Sequence, residues 1–352
     1  MGSSARGRRD THLTVCVEHD GEALVKATGL ERSLSLLKPI RSALFRVVAG
    51  IGLVAALAFP AYAFAGPSSD AVVVATPFAA KLGLTGAYAQ CPAEQRVVGG
   101  GVLHTASQQV YLGASGPLDS TSSPPINPTT AAQSTVNGDV ATQWYAGVSN
   151  PVSDPAAVKT FALCSASSDA TVRVASFSIA GRSTGVITVK CPTGQRALGG
   201  GVIQYSWPDN RILASGPLDS SGQLSNTTDG DVATKWYSAV HNWPNHTVQF
   251  KAFAICSADS QATIQATPFS VAGNATGHAG ARCPDSQRVV GGGIVQGGPA
   301  KFIGLRDSGP LDDTGLAANT DDGDLGRHWY ATVENRNPYK VNFKVLAVCE
   351  LG

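Results

Sequence analysis

The chain has 352 residues, with 26 Lys plus Arg against 25 Asp plus Glu and a formal net charge of +1. Beyond residue 65 the balance is 18 basic to 20 acidic side chains with no basic stripe, which argues against a nucleic-acid partner. Abundant Gly, Ser, Thr, Ala and Val fit an extracellular β protein, and roughly 285 residues are ample for a core.

The first 65 residues differ from the rest. Residues 1–35 are polar and irregular; Lys38, Arg41 and Arg46 then precede the apolar run VVAGIGLVAALAFPAYAFAG. A basic flank, an apolar stretch and an Ala-x-Ala end at Ala61–Ala63 or Ala63–Ala65 read as a secretory signal. Pro60 and an apolar run shorter than about 20 residues argue against a stable membrane span. Residues 1–65 are therefore assigned as N-terminal extension and signal peptide, and the mature protein as secreted.

Three copies of one pattern follow, expected at 71–168, 169–259 and 260–352. Each opens with a Cys-Pro strand ending in three glycines: CPAEQRVVGGGV, CPTGQRALGGGV and CPDSQRVVGGGI. SGPLD recurs at Ser115, Ser215 and Ser308, and Gly-Asp leads to Trp-Tyr at Trp144, Trp236 and Trp329. A second cysteine closes each copy at Cys164, Cys256 and Cys349. A Ser/Thr/Pro-rich insertion over Ser120–Val136 lengthens the first copy and reads as a surface loop.

The strands are read best in the second copy: Thr171–Ile179, Gly185–Lys190, Gln195–Gln204, Arg211–Ser215, Val232–His241 and Thr247–Cys256. Alternation within them and turn residues between them give an all-β class. With about six strands per copy and no spacer, the copies are expected to pack as one pseudo-threefold prism- or barrel-like body, a monomer with internal symmetry.

Cysteine arithmetic follows the repeat. Cys16 lies in the segment expected to be removed, leaving two cysteines per copy and predicting Cys91–Cys164, Cys191–Cys256 and Cys283–Cys349 as disulfides. No C-x-x-C spacing favours zinc, so neither a metal nor a cofactor is assigned.

The triple glycines precede no helix, so close backbone approach explains them better than phosphate binding. Trp144, Trp236 and Trp329 share a face with Val148, Val240 and Val333 and are expected in the core, whereas Tyr145, Tyr237 and Tyr330 point the other way and are the surface candidates. Arg96, Arg196 and Arg288 recur with Asp139, Asp231 and Asp324, suggesting an Arg–carboxylate pair in each copy. Asp119, Asp219 and Asp312 read as turn residues, with an oxygen-rich calcium site as the alternative. None of His104, His241, His246, His278 or His328 recurs or accompanies a nucleophile motif, so no catalytic residue is assigned and the protein is read as not an enzyme. Asn226, Asn245 and Asn274 open glycosylation sequons, which carry no meaning in a bacterial protein.

Only the second copy has two extra tryptophans, in Trp207-Pro208-Asp209-Asn210 and His241-Asn242-Trp243-Pro244-Asn245. Taking the copy as a meander places both loops at one end. Trp207, Asp209, Asn210, Asn242, Trp243 and Asn245 are then the candidate ligand site, with rings and amides suited to a sugar.

The run ATPFSVAGNATGHAGARCPDSQRVVGGGI, then SGPLD, WYATVEN and VLAVC, resembles a bacterial secreted module found as single copies C-terminal to collagen-like and other secreted repeats. The resemblance covers nearly all of residues 71–350, three times over; no activity is attached to the module. This chain departs from the module's usual setting in having three copies and no Gly-X-Y tract. Collagen-like partners imply trimers, so three copies in one chain resemble a covalent version of a trimeric head and, more distantly, the β-prism of lectins and egg-coat proteins. The expected function is that of a non-enzymatic extracellular surface or matrix scaffold, with a lectin-like binder of cell-surface or matrix glycans as the alternative.

Overall fold

A computed structural model describes residues 69–105, 109–119, 132–204, 210–297 and 301–352. The segment read as an export signal, Trp207, Asp209 and residues 120–131 of the insertion lie outside them. Each copy forms six strands. The first has β1 (Val72–Ala80), β2 (Gly83–Gln90), β3 (Arg96–His104), β4 (Tyr111–Asp119), β5 (Ala141–Asn150) and β6 (Ala156–Ser165). The second has β7 (Thr171–Ile179), β8 (Ser183–Lys190), β9 (Arg196–Gln204), β10 (Asn210–Leu218), β11 (Lys235–Asn242) and β12 (Val248–Ser257). The third has β13 (Thr263–Val271), β14 (Ala275–Arg282), β15 (Gln287–Gln296), β16 (Ile303–Leu311), β17 (His328–Asn335) and β18 (Val341–Leu351). No helix among the described residues is long and apolar enough to cross a membrane.

The strands do not run as a meander. Every copy splits between two sheets, its first, sixth and third strands entering one and its second, fifth and fourth the next. The three sheets are β1-β6-β3-β16-β17-β14, β2-β5-β4-β9-β12-β7 and β13-β18-β15-β10-β11-β8. Each therefore joins half of one copy to half of another, and none closes into a barrel. The body is a pseudo-threefold prism.

The seams between copies are narrow: one residue pair each, Val102 with Ser308, Val202 with Ser115 and Ile294 with Ser215. All three serines belong to SGPLD. Each also accepts the indole N–H of its own copy's tryptophan, at 3.0, 2.9 and 3.0 Å for Trp144, Trp236 and Trp329. The three indoles are buried, as are Val148, Val240 and Val333. A buried Trp needs an acceptor for its N–H, and the SGPLD serine supplies one while holding the seam.

The triple glycines sit where the copies meet. A β-bulge precedes the first glycine of each copy, at Val98, Leu198 and Val290. A Cβ on Gly99 would lie 2.4 Å from the Val290 carbonyl oxygen, one on Gly291 2.0 Å from that of Leu198, and one on Gly199 2.5 Å from that of Val98. The three contacts form a closed ring around the pseudo-threefold axis. The second glycine lies against the face of its copy's Trp, and the third against the carbonyl of the seam serine. Only glycine admits backbones this close.

Each copy has its disulfide, Cys91–Cys164, Cys191–Cys256 and Cys283–Cys349, with Cα atoms 5.6 Å apart in all three. That lies in the middle of the range a disulfide spans.

Candidate functional site

The polar residues that recur in all copies hold the copies together. The Arg–carboxylate pairs expected from the sequence are not formed. Arg96, Arg196 and Arg288 instead donate to the backbone carbonyls of Ala170, Ala262 and Ala71, each at the start of the next copy in the ring. Asp139, Asp231 and Asp324 turn their carboxylates onto the backbone N–H groups of Val136, Thr228 and Asp321 within their own turns. The glycine before each takes φ of +93°, +82° or +88°, open to glycine at no steric cost. These turns pair in both directions with Val172, Ile264 and Val73 of the next copy. Copy three thus closes onto copy one, and the Ser69 N–H donates to the Leu351 carbonyl at 2.6 Å.

A lysine five residues before each closing cysteine runs the ring in the other sense. Lys251 donates to the carbonyls of Gln133 and Thr135 at 3.0 and 2.8 Å, and Lys344 to those of Ser225 and Thr227 at 2.8 Å each. Lys159 reaches Ala318, Thr320 and the Asp321 carboxylate. Lys251 is 5% exposed, and burial holds its ammonium below the usual lysine range, against the pull of Asp139 and Asp119. The insertion of the first copy is thus anchored at its end by a buried cation.

Asp119, Asp219 and Asp312 donate their backbone N–H to Thr135, Thr227 and Thr320. The carboxylates of Asp219 and Asp312 take local turn bonds from Ser221 and Thr314. Among the described residues no three His, Cys, Asp or Glu side chains are placed to hold a metal ion. Tyr145 is buried and Tyr237 and Tyr330 are half-buried, so these rings are not the surface residues that alternation suggested. Tyr145 lies over Gly86 and Gly147 and 5.0 Å from the Tyr88 ring.

One end of the axis carries a polar hollow of about 290 Å³ lined by Ser165, Ser257, Asp169 and Glu350 among others. Its polar groups are turn caps: Ser165 and Ser167 bond Asp70, Ser257 bonds Asp169, and Ser260 bonds Glu350. Burial alone would raise the Asp70 and Asp169 carboxyls, but these hydrogen bonds outweigh it and hold both below the ordinary value of 3.8.

The ends of β10 and β11 hold the sequence-derived ligand candidates. Asn210 and Asn242 are directly paired across the ladder, so the start of β10 and the end of β11 lie together, although β9 and β12 belong to a different sheet from β10 and β11. Asn242 has a role in the fold. It is fully buried, and its Nδ2 donates to the carbonyls of Ile179, Ala180 and His246. Asn150 and Asn335 do the same in the other copies. There the Oδ1 also accepts an N–H two residues on, from Val152 and Asn337. In the second copy that position is Pro244, which has no N–H, and the Asn242 Oδ1 lacks a donor. Asn210 is buried and bonds Gln204, whereas Asn245 is exposed.

Trp243 belongs to a cluster the sequence did not reveal. Its ring lies 4.4 Å from His241, edge-on, 6.3 Å from Phe302 and 5.5 Å from the Arg211 guanidinium carbon. Arg211 stacks over Tyr111 at 3.9 Å, the Arg336 guanidinium lies 5.2 Å from the centre of the same ring, and Gly304 also lies against it. The Tyr111 hydroxyl donates to Glu334 at 2.5 Å and accepts from Arg336, which pairs with Glu334 at 2.9 Å. Burial and that donation raise the Tyr111 phenol above its ordinary value. His241 is held below its ordinary value by burial first, then by the charges of Lys301 and Arg211. Tyr111, Arg211 and Gly304 each stand four residues before the SGPLD serine. Their failure to match was the signal available in the sequence.

No family model matches the chain, and no curated protein is similar to it.

Proposed function

We propose that the protein is a secreted, non-enzymatic surface or matrix scaffold whose prism is a durable platform. The observation that carries this reading is the double ring of joints. The recurring Arg, Lys, Asp-turn and Trp–Ser contacts each serve a neighbouring copy or a seam. Three disulfides fit an oxidising compartment, and the basic–apolar–Ala-x-Ala segment before residue 66 supports export. The test is expression of the full gene in a secreting bacterial host. The expected result is a chain in the medium that begins near Gly66, has no free thiols and resists protease. A chain retained inside the cell with titratable thiols, or turnover on a panel of hydrolase substrates, would refute the reading.

Glycan binding is the second reading, favoured by the aromatic and cationic cluster at Trp243.

A further inference from the structure

We infer that the corner of the second copy between β7 and β8 binds a phosphate or sulfate ester, an anionic group carried on an organic body. β7 and β8 are edge strands of two different sheets, and between them runs a groove of about 440 Å³. Its β7 side carries Arg173, with Asn137 of the preceding turn beside it. Its β8 side carries Thr188 and Lys190, and Thr193 follows in the turn after β8. Val174, Ala175 and Val189 give the groove an aliphatic floor.

The same corner occurs three times, and only this one is cationic. Arg173 stands where the first and third copies have Val74 and Gln265. Lys190 stands where they have Gln90 and Arg282. Arg282 pairs with Asp285, and the residue at that place in the second copy is Thr193. Asn137 replaces the Asp322 and Asp229 of the other two corners. All three side chains accept the N–H of the fourth residue of the adjacent strand: Ala75 from Asp322, Val174 from Asn137 and Ala266 from Asp229, at 2.6, 2.8 and 2.6 Å. Aspartate serves two copies in this bond, so the fold does not require the amide. What Asn137 changes is the other half of its side chain, from a charged oxygen to an exposed Nδ2 with two donors.

The cations of this corner are unanswered. Arg173 is half-buried and Lys190 exposed, and among the described residues neither makes a hydrogen bond or ion pair. The nearest turn carboxylate, Asp139, is directed onto the Val136 N–H. An exposed lysine alone is ordinary, but two like charges lining one groove repel until an anion lies between them. Donors stand on both walls, so the anion needs oxygens on more than one side. A carboxylate holds two oxygens in one plane and serves one wall. A tetrahedral phosphate or sulfate turns oxygens to both, and the carbon of its ester has the aliphatic floor to lie on. The groove's residues are not shared by the copies, so its role stands apart from the joints that support the scaffold reading.

The test is titration of the full mature chain at low salt, followed by backbone amide chemical shifts. The probes are glucose 6-phosphate, glucose 6-sulfate, glucuronic acid and glucose. The two esters separate phosphate from sulfate sources; the others keep the sugar and offer a flat anion or no charge. The expected result is saturable binding of at least one ester, with shifts centred on Asn137, Val174 and Lys190. Glucuronic acid should bind at least fivefold more weakly, and glucose should move nothing. Arg173→Gln and Asn137→Asp each install a residue that another copy already has at that place, so both should fold as the parent does. Each should weaken the ester at least fivefold. No saturable binding of either ester, shifts centred elsewhere, equal affinity for glucuronic acid, or unchanged ester affinity in either variant would overturn the inference.

Discussion

Gly199→Ala tests the axis directly. The new Cβ would lie 2.5 Å from the Val98 carbonyl oxygen and 2.9 Å from the Gly99 Cα. Both are backbone atoms, so no side chain can swing aside. Relief requires β9 to move away from β3 by about half an ångström or more. β3 is itself fixed by Gly99 against Val290, and β15 by Gly291 against Leu198, which returns the strain to β9. Overpacking of this kind costs about 1–3 kcal/mol, and a site closed on all sides belongs in the upper half of that range. For a chain of this size the loss corresponds to a Tm lower by roughly 3–5 °C. The control is Gly113→Ala, where the nearest atoms are 3.4 Å away and the backbone is not left-handed. It should change stability by less than about 0.5 kcal/mol. Thermal unfolding of the oxidised proteins by circular dichroism reads both. If Gly199→Ala melts within about 1 °C of the parent, or if Gly113→Ala is equally damaging, the axial ring is not the constraint described.

Three further outcomes are expected. Lys251→Met leaves the Gln133 and Thr135 carbonyls without their cation, costing about 1–3 kcal/mol, and should speed limited proteolysis between β4 and β5 over that of the parent chain. Replacing Cys191 and Cys256 by alanine removes a cross-link spanning 65 residues, about 4 kcal/mol in the chain-entropy model, seen as a lower denaturant midpoint. The Asp70 and Asp169 carboxyls titrate below 3.8 in the folded protein, so their contribution is complete at neutral pH, begins to fall as pH approaches 3.8 and is gone below their lowered native values. Asp70→Asn with Asp169→Asn should flatten the Tm–pH curve below about pH 4; an unchanged slope would remove these caps from the acid response.

The repeat made much of this fold legible. Six strands per copy, the three disulfides and the buried Trp–Val faces follow from recurrence and alternation, and the strands expected in the second copy lie within a few residues of those found. Alternation identifies the faces of a strand but not its neighbours. β7 pairs with β12 while β8, next in sequence, joins another sheet, so the exchange of half-sheets between copies could not be read. The Arg acceptors were missed for a related reason. Backbone carbonyls have no sequence signature, and a recurring Asp offered a more visible partner. Tyr145 was read as exposed because alternation knows nothing of Gly86 and Gly147, which make room for its ring. In the candidate site, Trp243 stood out by its rarity, whereas Tyr111, Phe302 and Arg336 became significant only once three distant loops met.

The half-sheets also bear on why the three copies share one chain. A copy alone would expose the seam strands on both of its sheets, leave its Arg and Lys without acceptors and lose both of the axial contacts it makes. It is a third of a core, not a domain. Every joint between copies is non-covalent apart from the two chain connections, and the last joint, between Ser69 and Leu351, has no chain connection. Three separate chains could therefore make the same contacts. Tethering turns that assembly into an intramolecular event independent of concentration. It also permits what a homotrimer cannot have. Three identical chains would place the same residue at all three positions four before the seam serine. Tyrosine at all three would collide at the axis, where Gly304 makes room for Tyr111; arginine at all three would set like charges together without a ring to stack on. The stacked Gly–Tyr–Arg arrangement beside Trp243 requires three different residues at one symmetric position, and a single chain is the simplest way to supply them.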